Sequence, residues 1–515
     1  MPGVFFSRYL VFHIAVACNW NEKRGTLSAC QFILVFSREI VKLSSLCAKF
    51  LVGLRGVSGM AVDYKNIDFK VRTLGEPKIP SPLNLSAVHE EERAGFVSDK
   101  TRIIYNIEEN PDAAVKERIT LEKAGPREKI FFRPGYSKAA IVTCGGISPG
   151  LNNVIRSLFM QLYYRYGVKD IYGFRFGYKG FDPANGFDPI KLTPEIVEPI
   201  HRTPGTFLGS SRGMVTPEII VERLEQEGID MLFAIGGDGT LRGAHSIWLE
   251  VERRGLEIAV VGVPKTIDND INFVDKTFGF DSAVEEARRV LESAHAEAQS
   301  AINGIGLVKV MGRDAGFIAA HATLASREVN FCLIPEIPFD LYGEHGFLAA
   351  LEKRLMQRHH AVIVVAEGAG QDLMGGPLQE KDASGNIKYK DIGLFLKEKI
   401  IRYFEKKKIP INLKYIDPSY SIRSVLPNAN DSIFCDHLSR YAVHAAMAGK
   451  TDLIIGLCHG YFTHIPIEVA VAERKRIHPD STLWFSVVEA TGQPRSMVAD
   501  HNDQEKVGLN KEINH

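Results

Sequence analysis

Two stretches, residues 231–240, MLFAIGGDGT, and residues 261–270, VGVPKTIDND, decide how this chain folds. Each starts as a short apolar run and ends in a charged loop. The first loop holds Gly236, Gly237, Asp238, Gly239 and Thr240; the second offers Lys265, Thr266, Asp268 and Asp270. One helical segment, Leu241 to Arg254, lies between them, and Gly255 follows it as a C-terminal cap. The order strand, loop, helix, strand, loop is a parallel crossover unit, and a right-handed crossover brings both loops to the same sheet edge. Ligands bind at such edges because the loops diverge and leave a crevice. The spacing therefore predicts that Asp238 and Asp268 face one crevice.

The same alternation extends in both directions. Lys138 to Thr143 reads as a strand and CGGISPG as its loop, and Leu151, Val154, Ile155, Leu158, Phe159 and Leu162 recur at helical spacing up to Gly167. A glycine-rich turn between strand and helix can cradle a phosphate, because backbone N–H groups and the positive helix end converge there. It can equally be a tight connection. A strand over 171–176 leads to the loop GTFLGSSRG, 205–213, where Arg212 could grip an anion or simply face solvent, and then to a helix capped by Thr216 and opened by Pro217. Ser282 and Glu285 form a capping box for a helix running to about Ala298. Beyond it, strands at 305–310, 331–335, 361–366, 411–416 and 452–457 alternate with helices at 315–326, 345–358, 392–407 and 436–448.

That pattern is α/β, with too many strands for one comfortable sheet. Two doubly wound Rossmann-like domains facing across a cleft are expected, preceded by an N-terminal arm. The expected bounds are 136–279 plus about 424–475 for a nucleotide-binding domain, 280–423 for a sugar-phosphate-binding domain, 60–135 for the arm and 476–515 for a polar, frayed tail. Residues 1–59 differ in character: YLVFHIAVAC, 9–18, is too short to span a bilayer but has the length of a signal-peptide core. Translated sequence upstream of Met60 is the favoured reading of this extension, with a targeting segment as the competing one.

Composition narrows the function. With 62 basic and 62 acidic residues in 515, nothing suggests a nucleic-acid or membrane partner. Seven cysteines without CxxC pairs speak against a zinc ribbon or a disulfide framework and suit the cytoplasm.

The loops CGGISPGLNN, GTFLGSSRG, GGDGT, PKTIDND, MGRDAG, AEGAG and YIDPSYSIRS, in that order over about 136–460, resemble those of 6-phosphofructokinases. GGDGT alone is unspecific, since NAD kinases and diacylglycerol kinases carry a similar element; PKTIDND followed by MGR is far more specific. The resemblance implies phosphorylation of fructose 6-phosphate at its 1-hydroxyl by Mg-ATP, in a homo-oligomeric glycolytic enzyme, dimer or tetramer. It implies that Gly145, Arg212, Gly213, Gly237, Asp238, Gly239 and Thr240 hold ATP, with Asp238 on Mg2+. Thr266, Ile267 and Asp268 would meet the reacting hydroxyl, with Asp268 as base, and Met311, Gly312 and Arg313 would lie against the sugar phosphate, Arg313 meeting the transferring group. Glu367 would bind the sugar, and Tyr420, Ser421, Ile422 and Arg423 its distal phosphate. Phosphoryl transfer needs positioning and charge neutralisation more than covalent work, and these residue types supply both.

Departures from the typical bacterial pattern matter too. Gly304 stands where allosteric members have an arginine reaching across a subunit boundary, and YSIRS replaces HxQRGG. Both resemble the branch that includes pyrophosphate-using enzymes, which puts inherited allosteric behaviour in doubt. Gly239 favours ATP, because pyrophosphate users have a second aspartate there; Lys265 occurs with either donor. The alternatives are therefore a pyrophosphate-dependent enzyme and a silent regulatory subunit, and the latter would be expected to have lost Asp238, Asp268 or Arg313.

Overall fold

Runs of Val, Ile, Ala and Leu buried on both faces form the centre of two sheets, as strands covered by helices on each side require. A computed structural model describes residues 68–498, apart from 84, 86–94, 108–117, 214, 377, 379 and 381–387. The 1–59 extension and residues 499–515 of the expected tail lie outside the described residues.

The larger sheet has nine strands. Five run parallel, in the order Leu453–Cys458, Ala259–Pro264, Met231–Gly236, Lys138–Thr143, Asp170–Phe174. Antiparallel strands close both edges: Ile190–Lys191 at one, and Tyr461–Pro466, Thr120–Lys123 and Arg102–Ile104 at the other. Residues 102–104 and 120–123 belong to the segment read as an arm, so part of that arm is sheet. On one face Ile141, Phe233, Ile235, Val261 and Val263 pack in a common core with helices Leu151–Met160 and Ala429–Met447. Helices Pro217–Glu227 and Asp238–Arg254 cover the other; Leu241 packs so close over Gly262 that a side-chain carbon there would lie 2.7 Å from it.

The second sheet is wholly parallel, ordered Phe331–Leu333, His360–Ala366, Gly304–Val310, Asn412–Ile416. Alternation along 360–366 divides its side chains between two cores. Val362 and Val364 join helices Phe280–Gln299 and Phe317–Ser326, while Ile363 and Val365 join helices Phe347–Arg358 and Ile392–Lys406.

Two local expectations need correction. Ser282 is not a cap: the helix starts at Phe280 after Gly279 (φ 88°), and the Asp431 carboxylate accepts from Gly279 N, Ser282 N and the Ser282 hydroxyl. A buried acid from the 429–447 helix thus satisfies first-turn donors that a local box would otherwise take. The C-terminal stretch is not a frayed tail as far as residue 498. Ser481 caps helix Thr482–Thr491, Trp484 and Val487 enter the second core, and the Gln493 side chain accepts from Cys332 N at 2.7 Å. Apolar residues on one face of a short helix were enough to dock it.

Candidate active site

Register places the loops. Pro264 pairs with Gly236 and Val263 with Ile235, which also neighbours Thr143, so the loops after 143, 236 and 264 leave one edge of the large sheet. Lys265 N donates to Gly236 O at 2.9 Å, which fixes the two acidic loops side by side. In the second sheet Val310 pairs with Ala366, and Glu367 N donates to Val310 O at 3.0 Å, so the MGR loop and Glu367 also leave together.

Asp238 is the first residue of its helix, at the positive end of the peptide dipoles. Its Oδ2 lies 3.2 Å from Arg242 Nε and 3.7 Å from Arg474. Gly239 lies in the first helical turn without positive φ, exposed, and a side-chain carbon there would meet nothing within 4 Å. Thr240 is buried; its carbonyl accepts from the Tyr178 hydroxyl at 2.7 Å. Gly145 (φ 84°) donates to Ser211 O at 3.0 Å, and its own carbonyl accepts from the Ser210 hydroxyl at 2.6 Å. Those bonds bring the 205–213 loop, with exposed Arg212 and left-handed Gly213, beside the first glycine loop.

Lys265 is buried, and its ammonium donates to Gly146 O. Burial pulls it down to about 8, with the nearby Arg423 and Arg212 adding in the same direction. Within the loop the Thr266 hydroxyl donates to Asp270 Oδ1 at 3.0 Å and accepts from Asp268 N at 3.1 Å. Asn269 takes the left-handed conformation at φ 55°, which its short polar side chain tolerates, and its Oδ1 accepts from Thr277 N. The outcome is a rigid turn presenting Asp268. Its Oδ1 is buried and has no hydrogen-bond partner among the described residues. Burial pushes Asp268 well above the usual carboxylate range, and repulsion from Asp270 and Glu367 adds to it.

On the opposing side Gly312 (φ 134°) allows the sharp MGR turn; a side-chain carbon there would lie 2.7 Å from Ala315 O. The Arg313 guanidinium lies 5.0 Å from the Tyr389 ring centre, and the Tyr389 hydroxyl donates to Asp314 Oδ1 at 3.0 Å. Burial raises Glu367, opposed by Arg313 and Lys309 nearby. Tyr420 is 76% exposed, with the Arg423 guanidinium 4.9 Å from its ring centre. The Ser421 hydroxyl is turned onto Pro418 O. Arg423 reaches the first glycine loop: its Nη1 would be 3.2 Å from a side-chain carbon on Gly146, and its Nε is buried without a partner among the described residues.

Two residues are placed differently from expectation. The side chains of Ile267 and Ile422 are buried in the second core, leaving only their main chain for a ligand. Half-buried Met311 packs against the same core. Three residues are new: Arg474, Asp314 and Tyr389. The basic run Arg474-Lys475-Arg476 after an apolar stretch is the one signal that could have singled out the first. Gly304 has a packing reason, since a side-chain carbon there would lie 2.0 Å from Ala298 O; no arginine fits.

Most of the chain matches proteins of one family. Residues 138–446 match the family model described as Phosphofructokinase. An ATP-dependent 6-phosphofructokinase of Borreliella burgdorferi is 52% identical over 440 residues, 84% of this chain and 98% of that protein. One from Trypanosoma brucei brucei is 44% identical, covering 82% and 87%. Among solved structures, a pyrophosphate-dependent phosphofructokinase from Marinobacter aquaeolei superposes with TM-score 0.56 at 21% identity, over 71% of this chain and 92% of that one, which is a likeness of fold.

Proposed function

Because the chain belongs to the phosphofructokinase family, we propose that it transfers the terminal phosphoryl group of ATP to the 1-hydroxyl of fructose 6-phosphate, yielding fructose 1,6-bisphosphate and ADP in glycolysis. The observation that carries this is the buried Asp268 Oδ1 at the meeting of the two sets of loops, which has no partner among the described residues. A carboxylate held above its usual range is a stronger base, suited to take the proton of an attacking hydroxyl. Arg313 and Arg212 bring positive charge to the transferring group and the nucleotide, and Lys265 adds to it when protonated. Arg423, whose Nε has no partner among the described residues, would hold the distal phosphate, and Glu367 the sugar. A silent subunit is disfavoured, since Asp238, Asp268 and Arg313 are all present.

Magnesium fits this site as a substrate-borne ion. No cluster of three or more acids, histidines or cysteines able to cage a metal occurs among the described residues. Mg2+ is commonly held by one or two carboxylates together with substrate phosphates, and Asp238 would provide the carboxylate. When bound, the ion neutralises phosphate charge.

ATP is the donor because residue 239 leaves open space and no negative charge where the nucleotide would lie. A coupled assay of fructose 6-phosphate phosphorylation with ATP and with pyrophosphate tests the reading: activity with ATP is expected, and activity with pyrophosphate alone would overturn it. Among the described residues no helix is long and apolar enough to cross a membrane. We place the enzyme in the cytoplasm as a dimer or tetramer, which sedimentation of the purified chain would check.

A further inference from the structure

Arg474 comes from a segment fastened to the site by its main chain. Val471 O accepts from the Arg242 guanidinium. Arg474 forms an antiparallel bridge with Ile271, and Lys475 N donates to Asp270 O at 2.9 Å. The Lys475 ammonium adds bonds to Val274 O and Asp275 O at 2.9 and 3.0 Å. So anchored, the Arg474 guanidinium contacts Asp314 Oδ2 and lies 3.7 Å from both Asp270 Oδ2 and Asp238 Oδ2. One cation thus touches acids from three loops: the start of the 238–254 helix, the TIDND turn and the MGRDAG turn of the second sheet. Without it, Asp238, Asp270 and Asp314 would converge with Asp268 and Glu367 and repel one another.

The three contacts are unequal. Asp314 is held closely and is also fixed by Tyr389, and Asp270 is fixed by Thr266. Asp238 is met by Arg474 only at the longer distance, because its Oδ2 already accepts from Arg242 Nε at 3.2 Å, and it is the acid the nucleotide's metal would need. We propose that Arg474 is a positioning residue that shares Asp238 with Arg242, gives way there to the divalent cation when nucleotide binds, and keeps Asp270 and Asp314 aligned throughout. This rests on the phosphoryl-transfer reading of the site.

The test uses the full chain without nucleotide and titrates Mn2+ alone, following free Mn2+ by electron paramagnetic resonance. Arg474→Met should bind Mn2+ about tenfold more tightly than wild type, a change of about 1.4 kcal/mol. Adding Asp238→Asn should return the affinity to the wild-type level. Arg474→Lys guards against misfolding of the methionine variant, because it keeps the charge but cannot span three carboxylates; it should bind Mn2+ more tightly than wild type as well. In steady state, Arg474→Met should lower kcat by about 10- to 100-fold, as misplaced reacting groups do, with KM for fructose 6-phosphate little changed and partial rescue by lysine. Folded variants that bind Mn2+ no more tightly than wild type, or tight binding that survives Asp238→Asn, would overturn the proposal. Failure of the functional reading would look different: wild type itself would not turn over fructose 6-phosphate with ATP, whatever the Mn2+ titration gave.

Discussion

Two buried charge clusters in this molecule are built on opposite principles. In the cleft, Asp238, Asp268, Asp270, Asp314 and Glu367 share few cations among the described residues, an Asp268 oxygen has no partner among them, and Asp268, Asp270 and Glu367 are all raised. At the sheet edge, Glu122 accepts from Arg127 at 2.9 Å, lies 2.8 Å from Lys450 and 2.9 Å from His464 Nδ1, and is held far below the usual carboxylate range against the cost of burial. Asp99 shares Arg127 and Lys450. That second cluster joins the segment before residue 128 to strands near 450 and 464, so it serves assembly. The difference teaches that unspent charge marks a site awaiting a ligand, whereas a neutralised cluster marks a joint.

The comparison breaks first at Asp268. Asp268→Asn should fold and lose about 10²- to 10⁴-fold in kcat, the usual cost of removing a general base. It should also melt higher than wild type near neutral pH. A raised acid favours the unfolded state once pH exceeds its unfolded value, so removing its charge relieves that penalty. Steady-state kinetics with calorimetry checks both, and a near-wild-type kcat would remove Asp268 from its role. Glu122→Ala should do the reverse, costing about 3–5 kcal/mol, as breaking one partner of a buried ionic group does. Its kcat per folded molecule should stay unchanged; denaturant midpoints read the first and active-site-titrated rates the second.

Gly239→Asp sharpens the donor side of the cleft. A carboxylate about 4 Å from a phosphate at an effective dielectric near 20 costs about 4 kcal/mol, so kcat/KM with ATP should fall by at least about two orders of magnitude. Gly239 has no positive φ and open space around it, so Gly239→Ala should fold unstrained and lose far less. Equal damage from both variants would refute a charge-based donor rule.

The smallest effect concerns pH at the joint. Burial lowers His464 to about 4 from an ordinary 6.5. Its Nδ1 faces an acceptor-only carboxylate and therefore carries the proton of a neutral ring. A base lowered on folding gives stability that is full above the ordinary value and drains as pH falls from about 6.5 to about 4. His464→Gln should flatten that part of the stability curve, and an unchanged slope would place the acid sensitivity elsewhere, for instance at buried His444, lowered to about 3.

By itself the sequence determined the parallel cores and the loops that leave them, because β-branched runs, glycine turns and helical spacing are local signals written within ten to twenty residues. Gly255 ends its helix in the left-handed form as expected, and Asp238 and Asp268 belong to adjacent loops of one edge. Only the tertiary structure decided which distant residues complete these elements. Strands 102–104 and 120–123 are three and four residues long, too short for an alternation to stand out along the chain. Asp431 replaced a local helix cap from 149 residues away, as counted to Ser282. Arg474 reached Asp314, Asp270 and Asp238 across more than 150 residues. Coulomb attraction acts through space and leaves no periodicity along the chain, so the charge balance of the site could be seen only once the fold had brought its members together.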